Sequence, residues 1–166
     1  MIDVLLGVGS NIEPKKNILH AVHELKRLDP NCQFSSLYEF EAVGFDGANV
    51  FNFVAKIKTS LALEALVKRL KAIELRYGKS PQAKKFMDRS IDIDLLTYGN
   101  LCQPEGPPLP RADIYQYAFV LLPLAELCPN ELIPGDTQTY AKAWYEFKLK
   151  HNFTPISITS IDTNTI

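Results

Sequence analysis

Cysteine is scarce in this chain: Cys32, Cys102 and Cys128 are three in number, widely spaced and without a Cys-x-x-Cys pair. They read as reduced, mostly buried thiols in a cytoplasmic protein rather than as a disulfide or zinc framework. Charge of one sign is also lacking. A formal net charge of −1 gives no electrostatic footprint for generic binding to nucleic acid or membrane. Long apolar runs are absent, and the N-terminus has neither the basic nor the apolar region of a signal peptide. The glycine loops are incomplete as well. Gly7-x-Gly9-Ser10-Asn11 lacks the third glycine of a dinucleotide fingerprint and the Gly-Lys-Ser/Thr of a P-loop. By itself it reads as a tight strand-to-helix turn with Ser10 or Asn11 as cap.

What is present suits one soluble domain spanning residues 1–166, with 46% apolar and 22% charged residues and no visible repeat. Met1 to Val8 reads as a buried strand, and Pro14 opens a helix with an Ile18, Val22, Leu25 stripe that stops before Pro30. Phe34–Phe40 and Val50–Thr59 alternate as strands around a turn-rich loop. Thr59 or Ser60 caps a second helix with stripe Leu63, Leu66, Leu70, Ile73 and Tyr77, ended by Gly78. Lys79–Asp88 is a polar loop, and a second long loop covers Gly99 to Pro110. Ala118–Leu127 is a short buried helix interrupted or ended near Pro123, Tyr140–Lys150 is a last helix, and the alternating tail from Ile156 to Ile161 adds an edge strand. The order β-α-β-β-α-β predicts an α+β fold: a ferredoxin-like antiparallel sheet with helices packed on one face, plus C-terminal helical additions. Such a sheet leaves its other face available.

The chemistry concentrates in Arg89-Ser90-Ile91-Asp92-Ile93-Asp94-Leu95-Leu96. Side chains at i and i+2 share a strand face, so Asp92 and Asp94 stand together while Ile91, Ile93 and Leu95 face the core. Two carboxylates roughly 7 Å apart on one face repel each other and suit a hard divalent cation with phosphate, with Arg89 nearby to meet phosphate charge. A solvated face guarded by acids explains the same pattern. His20-x-x-His23 has ligand spacing but lies opposite the apolar stripe, which favours a solvated face over zinc. Phe34, Tyr38, Phe40, Phe51 and Phe53 would suit stacking on RNA or packing in a core; the charge speaks against RNA.

In series, Gly9-Ser10-Asn11, Ser35-Ser36-x-Tyr38, Gly44, Asn52, Glu74-Leu75-x-x-Gly78, the Arg89–Leu96 block, Gly99-Asn100, Pro110 and Phe119-Val120-Leu121-x-Pro123-Leu124-x-Glu126 resemble the 6-hydroxymethyl-7,8-dihydropterin pyrophosphokinases of folate synthesis. The match runs to about Leu127. The resemblance implies transfer of pyrophosphate from ATP to the hydroxymethyl group of a reduced pterin. It assigns Asp92 and Asp94 to a pair of magnesium ions, and Arg89, with those two aspartates, to catalysis. Glu74, Lys79, Arg89 and Arg111 fall to the nucleotide, and Val43, Gly44, Asn52 and Phe119 to the pterin. Lys79–Asp88 corresponds to a mobile lid. The implied partners are ATP and the pterin, without nucleic acid or membrane, in a monomeric protein. A paralogue with another hydroxymethyl substrate, or a non-catalytic pterin- or nucleotide-binding homologue, is the alternative.

The chain also departs from the family pattern. Lys79 and Arg111 replace an arginine and a histidine, and Tyr117 replaces a further arginine. Phe86-Met87-Asp88-Arg89 replaces Trp-Gly-Pro-Arg, Val50 an aromatic, and Phe40-Glu41 a Thr-Pro.

Overall fold

The computed structural model describes residues 1–44, 46–78 and 90–161. Lys79, the Lys79–Asp88 segment expected as a lid, Arg89 and the tail from Asp162 onward lie outside the described residues. The elements are β1 (Ile2–Ser10), α1 (Pro14–Leu28), β2 (Gln33–Phe34), β3 (Leu37–Phe40), β4 (Val50–Thr59), α2 (Leu63–Arg76), β5 (Asp92–Tyr98), α3 (Asp113–Gln116), α4 (Ala118–Leu127), α5 (Tyr140–Lys150) and β6 (Ser157–Thr159). They form one sheet in the order β5-β1-β4-β3-β6, with β2 also paired to β4 and every pairing antiparallel. The expected edge strand is therefore present as β6.

Alternation on the strands sorts their side chains onto two faces. Val4, Leu6, Val8, Phe53, Ala55, Ile57, Ile93 and Leu95 meet Ile18, Val22 and Leu25 of α1 and Leu66, Leu70 and Ile73 of α2 in the larger core. The opposite face is not free, contrary to the sequence expectation. Leu5, Val54 and Leu96 lie under Val120, Leu121 and Leu124 of α4 and Tyr140 and Ala143 of α5. The C-terminal helices are a second layer, because three strands present apolar side chains there that need cover.

Other local expectations also change. The strand from Phe34 to Phe40 is broken in two at Ser35-Ser36. Ser35 N–H donates to the Val54 carbonyl at 2.9 Å, and Ser35 Oγ accepts from Val54 N–H at 2.9 Å, so a side chain carries part of the ladder. Neither Ser10 nor Asn11 caps α1; Glu13 is its N-cap, with a left-handed φ of 40° and no side-chain cap bond. Helix α2 starts after Ala62, and Thr59 Oγ1 instead accepts from Leu61 N–H at 3.1 Å in the turn before it. Helix α4 continues through Pro123, because burial of Val120, Leu121 and Leu124 outweighs one lost backbone bond. His23 is exposed as expected, whereas His20 stacks on Tyr77 with centroids 4.7 Å apart. The aromatics of β2 to β4 serve packing: Phe34 meets Phe53 edge-on, and Tyr38 and Phe40 are buried. All three cysteines are free thiols. Burial and then Asp29 push Cys32 up to about 11, burial and then Glu131 push Cys128 up to about 12, and Cys102 is exposed.

Candidate active site

The register of β1 builds the floor of the site. Gly9 pairs with Asn52 on one side and Asp92 on the other; Gly7 pairs with Val54 and Asp94. Asn52, Asp92 and Asp94 therefore rise from one face of three adjacent strands, across a central strand that carries no side chains at these positions. Gly9 leaves Asn52 its pose: a Cβ there would stand 2.9 Å from Asn52 Oδ1, and the amide would have to move. Further down the same face, a register shift near Leu5/Leu6 leaves Leu96 between the paired Leu95 and Thr97; Leu96 packs under the helical layer and Thr97 is buried.

An open cleft lies over the glycine floor. Asp92, Asp94, Asn52, Arg111, Phe119 and Val43 all line it, as do Ser10, Asn11, Phe40, Glu41, Val50 and Asp113. Phe119, near the start of α4, stacks on Tyr117 at 4.9 Å and meets Phe40 edge-on at 6.4 Å. Its helix is tied to the sheet by Glu126. Oε1 accepts from Ser36 N–H at 2.8 Å and Ser36 Oγ at 2.9 Å, and Tyr38 donates its hydroxyl to Oε2. Burial and the Glu126 carboxylate raise the Tyr38 phenol well above its ordinary value, which keeps it a protonated donor. Asn52 is 8% exposed, and its Nδ2 lies 3.5 Å from the Val50 carbonyl, a weak contact that leaves the amide able to meet a ligand.

Arg111 is placed by its backbone N–H, which donates to the Leu96 carbonyl at 2.9 Å. Its Nη2 lies 3.3 Å from Asp94 Oδ1 and its Nε 3.1 Å from Asp113 Oδ2. The Nε contact is an ion pair by distance only, since that buried nitrogen makes no well-aligned hydrogen bond. Burial opposes the charged guanidinium, but Asp94, Asp113 and Asp92 together raise its pKa above the ordinary value. Three carboxylates thus share one guanidinium among the described residues.

Magnesium suits this donor set. Asp92 and Asp94 offer only oxygen, Asp94 keeps a third of its side chain exposed, and the glycines leave room for ligands between them. Among the described residues no group of three or more acids, histidines or cysteines forms a closed metal cage. A magnesium ion commonly takes one or two carboxylates and fills its remaining positions with water and phosphate oxygens.

Two of the sequence-selected residues stand elsewhere. Glu74 is 7% exposed and its Oε1 accepts from Ile93 N–H at 2.7 Å, so this carboxylate fixes the backbone of β5 between the two aspartates and does not line the cleft. Gly44 follows Val43 with a φ of 81°, a turn geometry that favours glycine, and is likewise outside the lining. Asp113 and the floor role of Gly7 escaped the sequence reading, and Glu41 stood there only as a departure from the family pattern. An acid two residues beyond Arg111 was the available signal for Asp113.

Residues 5–129 match the model of the 7,8-dihydro-6-hydroxymethylpterin-pyrophosphokinase family. The chain is 34% identical over 158 residues to the 2-amino-4-hydroxy-6-hydroxymethyldihydropteridine pyrophosphokinase of Aquifex aeolicus, covering 93% of this chain and 96% of that one. It is 31% identical over 140 residues to the enzyme of the same name from Haemophilus influenzae, covering 81% and 87%. Among solved structures it superposes with a TM-score of 0.63 on an HPPK-DHPS protein of Plasmodium falciparum with pteroate, at 13% identity. That match covers 88% of this chain and 42% of the other, so the chain spans less than half of that longer protein and shares its fold there.

Proposed function

The chain belongs to the 7,8-dihydro-6-hydroxymethylpterin-pyrophosphokinase family, and from that premise we propose how its cleft carries pyrophosphate from ATP to the hydroxymethyl group of the pterin. The activity is the pyrophosphokinase step of folate biosynthesis. In the reaction the hydroxymethyl oxygen forms a bond to the β-phosphorus, the bond from that phosphorus to the α,β-bridging oxygen breaks, AMP leaves, and the hydroxyl proton passes to solvent. No covalent enzyme intermediate is required, so positioning and charge neutralisation supply most of the rate.

The single observation that carries the site assignment is the row Asn52–Gly9–Asp92, with Asp94 one row below. Asn52 offers an amide to the donor–acceptor edge of a heterocycle, and Phe119 offers an aromatic face above the same cleft. Val43, beside the Gly44 turn, walls the pterin end. Asp92 and Asp94 hold two magnesium ions, which when bound neutralise the ATP phosphates and polarise the attacking hydroxyl. Arg111 meets a phosphate from the nucleotide side. The family resemblance gives Arg89 and Lys79, outside the described residues, to the nucleotide phosphates, and Glu74 acts on the nucleotide end through the backbone of β5 that it holds. The strand order with α1 and α2 on one face supports a ferredoxin-like reading, in one domain extended by α3 to β6. No described helix is long and apolar enough to cross a membrane. The proposed working form is a cytoplasmic monomer.

The test is a magnesium-dependent assay for AMP release from ATP with 6-hydroxymethyl-7,8-dihydropterin. AMP together with pyrophosphorylated pterin is the expected result. Tight binding of both substrates with no AMP would mean a non-catalytic homologue instead.

A further inference from the structure

Arg111 stands among three acids with its Nη2 on the same Asp94 that the proposed function gives to a metal ion. One carboxylate oxygen cannot fully serve a guanidinium and a divalent ion together. Both are cations, and they repel across the few ångströms that would separate them. The guanidinium is held in place from behind: Asp113, 8% exposed, faces its Nε, and the Arg111 backbone is bonded to β5 itself. Among the described residues, the charged groups that face it are Asp94, Asp113 and Asp92. Most of its side chain is buried, but it still lines the cleft beside open space that nucleotide phosphates would enter.

We propose that Arg111 is an internal competitor of divalent cations at Asp94, displaced toward the nucleotide's phosphates when these enter, so that one side chain couples metal binding to nucleotide binding. This rests on the metal assignment of Asp92 and Asp94. An arriving phosphate gives the guanidinium a second anion of fitting geometry, since arginine binds carboxylate and phosphate through the same planar fork. The exchange releases an Asp94 oxygen to the metal. By linkage, nucleotide then raises metal affinity and metal raises nucleotide affinity by the same factor. The device orders the site: an ion without a nucleotide meets resistance, and an ion with one does not.

The test uses Mn2+ as probe on the full chain, with free ion counted by electron paramagnetic resonance, with and without a non-hydrolysable ATP analogue. Without nucleotide, Arg111→Met is expected to bind Mn2+ about tenfold more tightly than the unchanged protein, the order expected for one charge contact of a partly buried group. The gain in Mn2+ affinity on adding the analogue should be smaller in that variant. Arg111→Lys covers the case in which the Met variant does not fold. A point charge cannot hold Asp94 and Asp113 at once, so Mn2+ affinity should rise there too, by less. Affinity that stays the same in the folded variants, while Asp94→Asn abolishes Mn2+ binding, overturns the competition and leaves the metal site standing. Affinity that survives intact in Asp94→Asn overturns the metal assignment and the competition with it.

Discussion

Two halves of one sheet face have opposite characters. Toward one end, Leu5, Val54 and Leu96 are roofed by α4 and α5 in an apolar core, with Leu96 also bordering the cleft. Toward the other, Gly7, Gly9, Asn52, Asp92 and Asp94 stand on the same three strands and line a cleft. The strands do not change; the residues do. Side chains large enough to support a helix give way to glycine, and apolar groups give way to amide and carboxylate. The cleft thus opens where the helical roof loses its footing, and on the proposed reading stability and chemistry can be perturbed separately on one strand.

The sharpest way to break this contrast is on β5. Asp92→Ala and Asp94→Ala should each lower turnover by about a thousandfold, the scale of several kcal/mol of charge stabilisation lost. Thermal unfolding should be nearly unchanged. Full activity in either variant would sink the metal assignment. Leu96→Ala, one alternation further on, should do the reverse. A fully buried leucine under α4 removed from the packed half costs about 3 kcal/mol, read as a lower denaturant midpoint, with kcat for the folded fraction retained.

A subtler break acts on the glycine floor. In Gly9→Ala the new Cβ meets Asn52 Oδ1, so the amide must turn from its pose. The pterin KM should rise about tenfold, in keeping with the rate lost to small misplacements, while Mn2+ affinity holds. Unaltered pterin kinetics would remove Asn52 from the binding role.

How far the sequence disclosed this contrast depends on the residue. The Asp92–Asp94 face follows from alternation alone, and its apolar partners Ile91, Ile93 and Leu95 are buried as that alternation requires. The helices α1 and α2 were legible because Pro14, Gly78 and apolar spacing all point the same way. The helical roof was legible as helices but not as a second layer, since a buried helix such as α4 carries no sharp stripe to say what it covers. Glu74 is the instructive case. On a helix it reads as a surface acid, and only the tertiary fold supplies the Ile93 N–H that it accepts. The Arg111–Asp113 pairing depends on a loop path that no periodicity describes.

The remaining predictions concern how the two halves are fastened. Glu126→Gln weakens the ties from α4 to Ser36 and Tyr38. Because Glu126 is exposed, the cost should be only about 1 kcal/mol, seen as a small fall in Tm with Phe119 less firmly placed. The smallest effect is one of pH. Ser157 Oγ and Asn49 Nδ2 donate to the Glu39 carboxylate and lower its pKa. A lowered folded pKa contributes stability above the ordinary glutamate range and loses it as pH falls through the folded value. Protection of the β6 amides, taken relative to their intrinsic exchange rates, should therefore fall in acid, below about pH 4, and Glu39→Gln should show the lowered protection at neutral pH.

The row Asn52–Gly9–Asp92 also acts as a ruler. Adjacent strands lie roughly 4.8 Å apart, so two strand spacings set Asn52 and Asp92 on the order of 10 Å from each other. On the proposed reading, one end of the substrate must grip the amide while its reactive oxygen reaches the metal end. A fused two-ring heterocycle with a one-carbon arm spans that gap. A single ring bearing the same arm grips one mark and falls short of the other. Substrate length is thereby gauged by the spacing of backbone hydrogen bonds, which no side-chain substitution can stretch.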